Sequence, residues 1–426
     1  MNNLIEYKLA NFIQNIFDIG SNGSDENISK NLKMLDNEDY AYMVRTLNFN
    51  ANNFKNNMKY VSQETYEYFK KSKIFGDEII INKIGCPGSL WLMPRLDKPV
   101  SLGLNQYALV INEKINTHYL YYNLKNIEEY IKSQAHGTTT KTLTKQDIKD
   151  IKIFIFNNIS IQNKISFFLD KLNEKIELNK KINEELEKMA KTLYDYWFVQ
   201  FDFPDENGRP YKSSGGKMHY DEKNKRNIPL DWKIQNFNNN DLTKIIQPGI
   251  NKFENEKIYL PTASIQDDKI VDFSYKITYE NRESRANMQP ISNSVWFAKM
   301  KNSKKVLYFA DYSQEYINKL ILSTGLCGLY CKDNTIEYIW NTINSEYFEV
   351  RKDSLAHGAT QEAVNNDDLI SIPLLVPPIS IIEKYHNKTT ALYYQKYLNE
   401  LENQKLIQLR DWLLPLLMNG QVVIKK

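Results

Sequence analysis

Residues 161–203, IQNKISFFLDKLNEKIELNKKINEELEKMAKTLYDYWFVQFDF, carry the period that decides the fold. Ile165, Phe168, Leu172 and Ile176, then Ile182, Leu186, Met189, Leu193 and Tyr196, step by threes and fours, as a seam on one helical face does. Asn179 falls where that seam calls for an apolar residue, either as a polar lock on register or as a solvated residue beside a slipped seam. Neither Gly nor Pro interrupts the stretch before Pro204, and Lys and Glu cover the other faces, in pairs such as Glu184 and Lys188. An exposed helix with one sticky stripe needs a partner.

An internal repeat supplies one. SQAHGTTTKTLTKQDIKDIKIFIF, from Ser133, aligns with SLAHGATQEAVNNDDLISIPLLVP, from Ser354, at a constant offset of 221. The match reaches back to THYLYYNL at Thr117 against EYIWNTIN at Glu337, and the starts agree as EYKLANF at Glu6 and DWKIQNF at Asp231. Each copy has a mixed segment with short β-like runs, including GDEIIINKIG at Gly76, YALVIN at Tyr107, VWFAKM at Val295 and VLYFAD at Val306. A capped helix start follows, Thr144 with Asp147 and Asn365 with Asp368, then a strand-like run and a long helix. The second long helix carries a looser seam through Tyr394, Leu398, Leu401, Leu409 and Leu413, and Pro415 should kink or end it ahead of Gly420. Two such units related by a pseudo-twofold pair their helices antiparallel. About thirty helical residues span roughly 45–50 Å, enough to hold two readers on DNA half-sites about 34 Å apart.

The totals set the class. A chain of 426 residues with 25% charged and 42% apolar residues is globular, with two to three domains. A net charge of +3 and a pI near 8.3 permit a nucleic-acid partner without establishing one. Three cysteines, Cys86, Cys327 and Cys331, are too few for a disulfide framework and fit a reducing cytoplasm. The start MNNLIEYKLANF has no signal-peptide layout, and the longest apolar run, residues 372–382, is broken by proline and too short for a bilayer. A soluble cytoplasmic protein without a membrane partner is expected.

Searches for catalytic chemistry exclude more than they find. LLVPPIS lacks the Asn or Asp and the aromatic that grip a flipped base in an amino-methyltransferase. No glycine fingerprint opens a helix, and Met218 stands where a phosphate loop after Gly215-Gly216-Lys217 needs a hydroxyl. Cys327 and Cys331 have no second pair nearby and read as thiols rather than a zinc site. His136 and His357 share one repeat position; duplicated catalytic centres would account for this, but buried histidines closing turns beside Gly137 and Gly358 do so more simply. A non-catalytic chain without bound metal or cofactor is expected.

The polar clusters suggest binding instead. Arg45 with Asn48, Asn82 with Lys83, and Asn105 with Gln106 are side chains able to meet base edges, as are Thr262, Ser264, Arg282, Arg285, Asn287, Lys299, Lys301, Lys304 and Lys305 in the second copy. The lysines suit phosphates, and Arg, Asn and Gln suit base choice. For each, the alternative is a solvated face.

The A-H-G-[TA]-T loops, the connector FPDENGRPYKSSGGKM followed by NIPLDWK, the run LYDYWFVQFDF and the terminal LRDWLLPLLMNGQV resemble the specificity subunit of type I restriction-modification enzymes over the whole chain. SRANM at Ser284, FAKMKNSKK at Phe297 and STG at Ser323 resemble one recurring class of target recognition domain. IFIFNNISIQ departs from the family in lacking the Pro-Pro present in the second copy. The resemblance implies an α+β fold in which two mixed α/β target recognition domains alternate with two long helices paired as an antiparallel coiled coil. It divides the chain into a recognition domain at 1–158, a spacer helix at 159–203, a connector at 204–229, a second recognition domain at 230–379, and a second spacer helix with tail at 380–426. It further implies an asymmetric bipartite DNA target, two methyltransferase subunits and motor-nuclease subunits as partners, and S-adenosylmethionine, ATP and Mg on those partners. Tyr194, Trp197, Phe198 and Trp412 would then form the docking surface, with Tyr196 beside them. The rival readings are a coiled-coil scaffold that binds protein and a methylation-only or single-chain restriction system.

Overall fold

The computed structural model of the chain describes residues 4–222, 225–358 and 361–424. Lys223 and Asn224 of the connector and Ala359 and Thr360 of the second A-H-G-A-T loop lie outside the described residues. The chain divides into two compact units, Met1–Leu178 with Asn403–Lys426, and Asn179–Glu402, so the residues of each long helix are shared between them.

In the first unit an antiparallel sheet runs in the order Ile13–Phe17, Gln106–Ile111, Ile79–Asn82, Leu90–Leu92. A second sheet has the order Lys59–Val61, Ala41–Val44, Val100–Leu102, Lys73–Ile74, with only its middle pair parallel. The second unit repeats both: Thr243–Ile246, Leu326–Cys331, Ser294–Ala298, Val306–Phe309, and Lys276–Ile277, Lys257–Leu260, Leu320–Ser323, Ala286–Met288, again with a parallel middle pair. The repeat found in the sequence is therefore a repeat of topology. Ile79, Ile80 and Ile81, and Val295, Trp296 and Phe297, are buried on both strand faces, which explains why these runs are continuously apolar rather than alternating. An extra hairpin, Ile265–Gln266 with Lys269–Ile270, occurs in the second copy.

A two-stranded ladder closes each copy, Leu4–Lys8 against Lys152–Phe156 and Lys233–Asn236 against Pro373–Val376, and delivers the chain to its long helix. Thr144 and Asp147 form the expected capping box. In the second copy the Asn365 N–H donates to Asp368 (2.6 Å), but the element is a 3-10 turn, Asp367–Ser371, entered from Asn366.

The long helices are Ile159–Tyr194 and Ile379–Met418. They pair antiparallel within each unit. In the first, Asn403 reaches the Ile176 carbonyl (3.3 Å) and Arg410 reaches Asn173 (3.0 Å). In the second, Asn179 donates to Glu402 (2.6 Å), Asn399 to Asn183 (2.8 Å), and the Tyr385 hydroxyl to the Ala190 carbonyl (3.1 Å). Asn179 is thus an interior register residue, and the seam also slips. Ile182, Met189 and Tyr196 are exposed, while the buried line continues through Asn183, Ala190 and Tyr194. On the second helix Tyr394, Leu398 and Leu409 are likewise exposed, and Ile382, Tyr385, Thr389, Tyr393 and Tyr397 are inside. Pro415 does not stop that helix, which ends three residues later at Met418; Gly420, at φ +71°, makes the turn beyond it.

The first helix ends earlier than its apolar spacing suggests. Asp195–Val199 form a π turn, and Phe201 takes a left-handed φ of +68°. Asp202 then accepts from both the amide (2.7 Å) and the hydroxyl (2.6 Å) of Ser213, fixing the reversal. The aromatic run is folded inward by this turn.

Candidate nucleic-acid interface

In the second copy strand Ser294–Ala298 ends at Lys299. The Lys299 N–H donates to the Gly325 carbonyl (3.0 Å), and its own carbonyl accepts from Val364 (3.0 Å). Lys299 is thereby gripped between the Thr324-Gly325 turn and the strand end of the A-H-G loop. Lys83 is held identically in the first copy, donating to the Asn105 carbonyl (2.8 Å) and accepting from Leu143 (3.0 Å). The two lysines are structural equivalents whose separation differs from 221, so the repeat alignment did not pair them.

The same turn gathers several sequence-predicted residues. A Cβ on Gly325 would lie 3.3 Å from Thr262 and 3.4 Å from Ser323, and the Thr324 N–H donates to the Arg285 carbonyl (2.9 Å). The Asn287 N–H also donates to that carbonyl (2.9 Å), and the Lys305 ammonium donates to the Thr262 carbonyl (2.5 Å). Thr262, Arg285, Asn287, Lys299 and Lys305 therefore share one turn-lined edge. Ser323, which begins the STG stretch and has a common residue type that carries no signal of its own, is buried under this turn and accepts from the Gly325 N–H (3.1 Å). Lys301 is paired with Glu362 (2.7 Å). Lys304 is exposed, and neither it nor Lys299 or Arg285 has a side-chain hydrogen bond or ion pair among the described residues. Arg282 lies apart, its guanidinium 4.4 Å over the Tyr279 ring and bonded to the Tyr279 carbonyl.

Other expected contacts are used internally. Asn48, 2% exposed, accepts from the Arg45 N–H (3.0 Å) and donates to the Asn53 carbonyl (3.4 Å), so it builds a turn rather than facing a ligand. Ser264 is buried, as are Asn82 and Gln106; the Asn82 amide donates to the Ile84 and Cys86 carbonyls. Arg45 donates to the Asn57 carbonyl (2.8 Å) while standing against Gly103, where a Cβ would meet the Val44 carbonyl at 2.6 Å. Lys83 is bound to Asp18 (2.9 Å), which also binds Lys145 (2.9 Å). Burial alone would raise the Asp18 carboxyl, but hydrogen bonds from Lys145 and Lys83 hold it below the ordinary carboxylate range. Asn105 stays exposed on its turn.

The A-H-G histidines are not buried. The side chains of His136 and His357 are 72% and 58% exposed, and they meet Asp147 (3.2 Å) and Asn365 (3.1 Å), the helix-start residues. Their backbones bridge to Thr142 and Ala363, and Gly137, at φ +125°, lies where a Cβ would come within 2.3 Å of the Thr140 carbonyl. They shape a loop at the surface.

The proposed docking aromatics also need correction. Trp197 and Phe198 are each 3% exposed and Tyr194 is buried, packed among Tyr338, Tyr385 and Trp232 because the π turn points them inward. Trp412 remains 63% exposed. Cys327 and Cys331 are buried, and burial pushes the Cys327 thiol up to about 12. Among the described residues no group of three or more His, Cys, Asp or Glu could hold a metal ion, and no helix is long and apolar enough to cross a membrane.

Comparison with known proteins bears on this arrangement. Residues 12–188 match the family model described as the type I restriction modification DNA specificity domain. The type I restriction enzyme MjaIX specificity subunit of Methanocaldococcus jannaschii is 22% identical over 75% of this chain and 72% of its own length. The HindI specificity subunit of Haemophilus influenzae is 23% identical over 69% and 74%. A crystal structure of a type I restriction-modification S subunit from M. genitalium shares the fold, with a TM-score of 0.55 at 13% identity, covering 100% of this chain and 97% of that one.

Proposed function

We propose that this chain, which is similar to specificity subunits of type I restriction-modification enzymes, is one itself and recognises a bipartite, asymmetric sequence in double-stranded DNA, one half through each copy of the repeat. The observation that carries this reading is the pair of equivalent edges: the same topology presents Lys299, Arg285, Thr262 and Asn287 in one copy and Arg45, Asn105 and the tethered Lys83 in the other. One scaffold with two different side-chain sets is what reading two different half-sequences requires. The paired long helices set the gap. Exposed Trp412, in the second helix, serves as part of a docking surface for two methyltransferase subunits, with motor-nuclease subunits completing the restriction complex in the cytoplasm. S-adenosylmethionine, ATP and Mg act on those partners, and this chain supplies recognition and scaffolding without catalysis.

The rival reading, a coiled-coil scaffold for proteins, differs in its salt response. Counterion release makes duplex binding fall steeply with salt, with a slope near −0.9 per neutralised phosphate. Binding of the full chain to duplex DNA that weakens in this way supports the DNA reading; absence of duplex binding at low salt rejects it.

A further inference from the structure

The loop 299–305 carries Lys299, Lys301, Lys304 and Lys305 within seven residues, and mutual repulsion alone would spread it. What gathers it lies beneath. Lys352, in helix Glu346–Leu355, is one of the largest fully buried side chains, with its side chain only 1% exposed. Its ammonium donates to the carbonyls of Ala298 (3.3 Å), Met300 (3.2 Å) and Ser303 (3.2 Å), and to Glu349 (2.6 Å). The neighbouring Asp353 lies 3.6 Å from the ammonium and accepts from the Asn302 N–H (3.1 Å), where Asn302 takes a left-handed φ of +54°. The Lys301 N–H donates to the Glu362 carbonyl (3.0 Å).

We propose that Lys352 is a positioning residue for DNA recognition by the second copy. Its buried cation draws the loop carbonyls of Met300 and Ser303 inward beside that of Ala298 at the strand end, and the lysine side chains are thereby presented on the opposite side. The first copy lacks the device: the repeat places Ile131, fully buried, at the position of Lys352. There the equivalent loop packs directly on its helix, with Gly88 so close that a Cβ would lie 2.9 Å from the Lys132 backbone. The clasp therefore belongs to the copy whose edge is rich in unpaired cations. Lys352 has no route to a phosphate, so its contribution is shape and not charge.

The inference rests on the DNA reading above, and the test separates the two. The full chain, Lys352→Met and Lys304→Ala are compared on a duplex recovered by selection from a random-sequence pool and on a scrambled duplex. The clasp predicts that Lys352→Met binds the selected duplex about tenfold more weakly, the loss of roughly one good contact, while its salt slope is unchanged. Lys304→Ala should lower that slope by about one. Amide exchange at Lys301 and Asn302 should accelerate in Lys352→Met, with the sheet amides of the same unit still protected. Unchanged affinity for the selected duplex overturns the proposal, as does unchanged loop exchange, and so does a slope that falls as it does for Lys304→Ala. Should Lys352→Met fail to fold, Asp353→Ala, which removes only the hold on Asn302 and a flanking charge, is read by the same two measurements. If selection recovers no duplex, the DNA reading fails, and the exchange measurement still decides whether Lys352 shapes the loop.

Discussion

Replacing Lys396 with Met should unfold the second unit more readily than any exposed substitution. The ammonium lies inside the helix pair, 2.5 Å from Glu187, 2.8 Å from Asp268 and 3.7 Å from Glu400, and so joins both long helices to the extra hairpin loop. At an effective dielectric near 20 each close contact is worth about 6 kcal/mol gross. Desolvation offsets most of that, and breaking such a buried pair from one side costs about 3–5 kcal/mol net. Burial alone would depress the Lys396 amine, yet Asp268, Glu400 and Glu187 hold it well above the ordinary lysine range. Burial raises the carboxyls of Glu187 and Glu400; it would raise Asp268 too, but Lys396 outweighs it and lowers that carboxyl. The raised carboxyls bind protons more readily folded than unfolded, so falling pH relieves the strain left in Lys396→Met as it passes through their folded pKa values. Urea denaturation followed by tryptophan fluorescence reads mainly this unit, which holds Trp197, Trp232, Trp296 and Trp340. The expected loss is about 3–5 kcal/mol at pH 7, smaller at pH 5. A loss below about 1 kcal/mol, the size of an exposed pair, or a penalty that grows on acidification, would refute the reasoning.

Three further outcomes follow from the same contacts. Lys299→Ala and Lys304→Ala should each reduce the salt slope of duplex binding by about one, whereas Lys301→Ala and Lys305→Ala, whose ammoniums already have protein partners, should change it less; filter-binding titrations over a range of salt concentrations check this. Trp197→Ala should destabilise the second unit by about 3–5 kcal/mol, while Trp412→Ala should leave the melting transition in place and weaken co-purification of the methyltransferase. Adding about seven residues, two turns, to both long helices in matched register should change the gap between half-sequences and leave both halves intact; loss of one half without a changed gap would show that the helices do not measure distance.

What the sequence discloses follows from what a period can encode. The offset of 221 located both A-H-G loops and the strand-like run before each long helix, because each depends on apolar or turn residues that recur in both copies, and the pseudo-twofold implied the antiparallel pairing; the ladders these runs form with the N-terminal strand of each copy are visible only in the structure. The seam beyond Asn179 was lost because the interior there is polar. Asn183 is buried and answered by Asn399 from the other helix, and half-buried Glu187 is answered by Lys396. Hydrophobic spacing carries no trace of such pairs and instead selects Ile182 and Met189, which face solvent. Trp197 and Phe198 looked like an outer face because helix geometry was carried past Tyr194, where a π turn and the left-handed Phe201 redirect the chain. For the binding edge, residue type was a poor guide. Asn48 and Lys83 have the chemistry of base and phosphate contacts, but a turn and Asp18 take them; Arg285 and Lys299, equally suited to such contacts, are left unpaired among the described residues. Lys352 carries no sequence signal, because a lysine in a helix reads as surface, and only the three carbonyls around it reveal otherwise.

Two differing copies of one fold reading two differing half-sequences of one DNA site should leave a mark on the genome. Mapping of N6-methylated adenines in DNA from cells carrying the complete system tests it most directly. Methylated adenines are expected in two unlike half-sequences separated by a gap of constant length and unspecified sequence. A single contiguous motif, two identical half-sequences, or a pattern unchanged when this chain is deleted would contradict it.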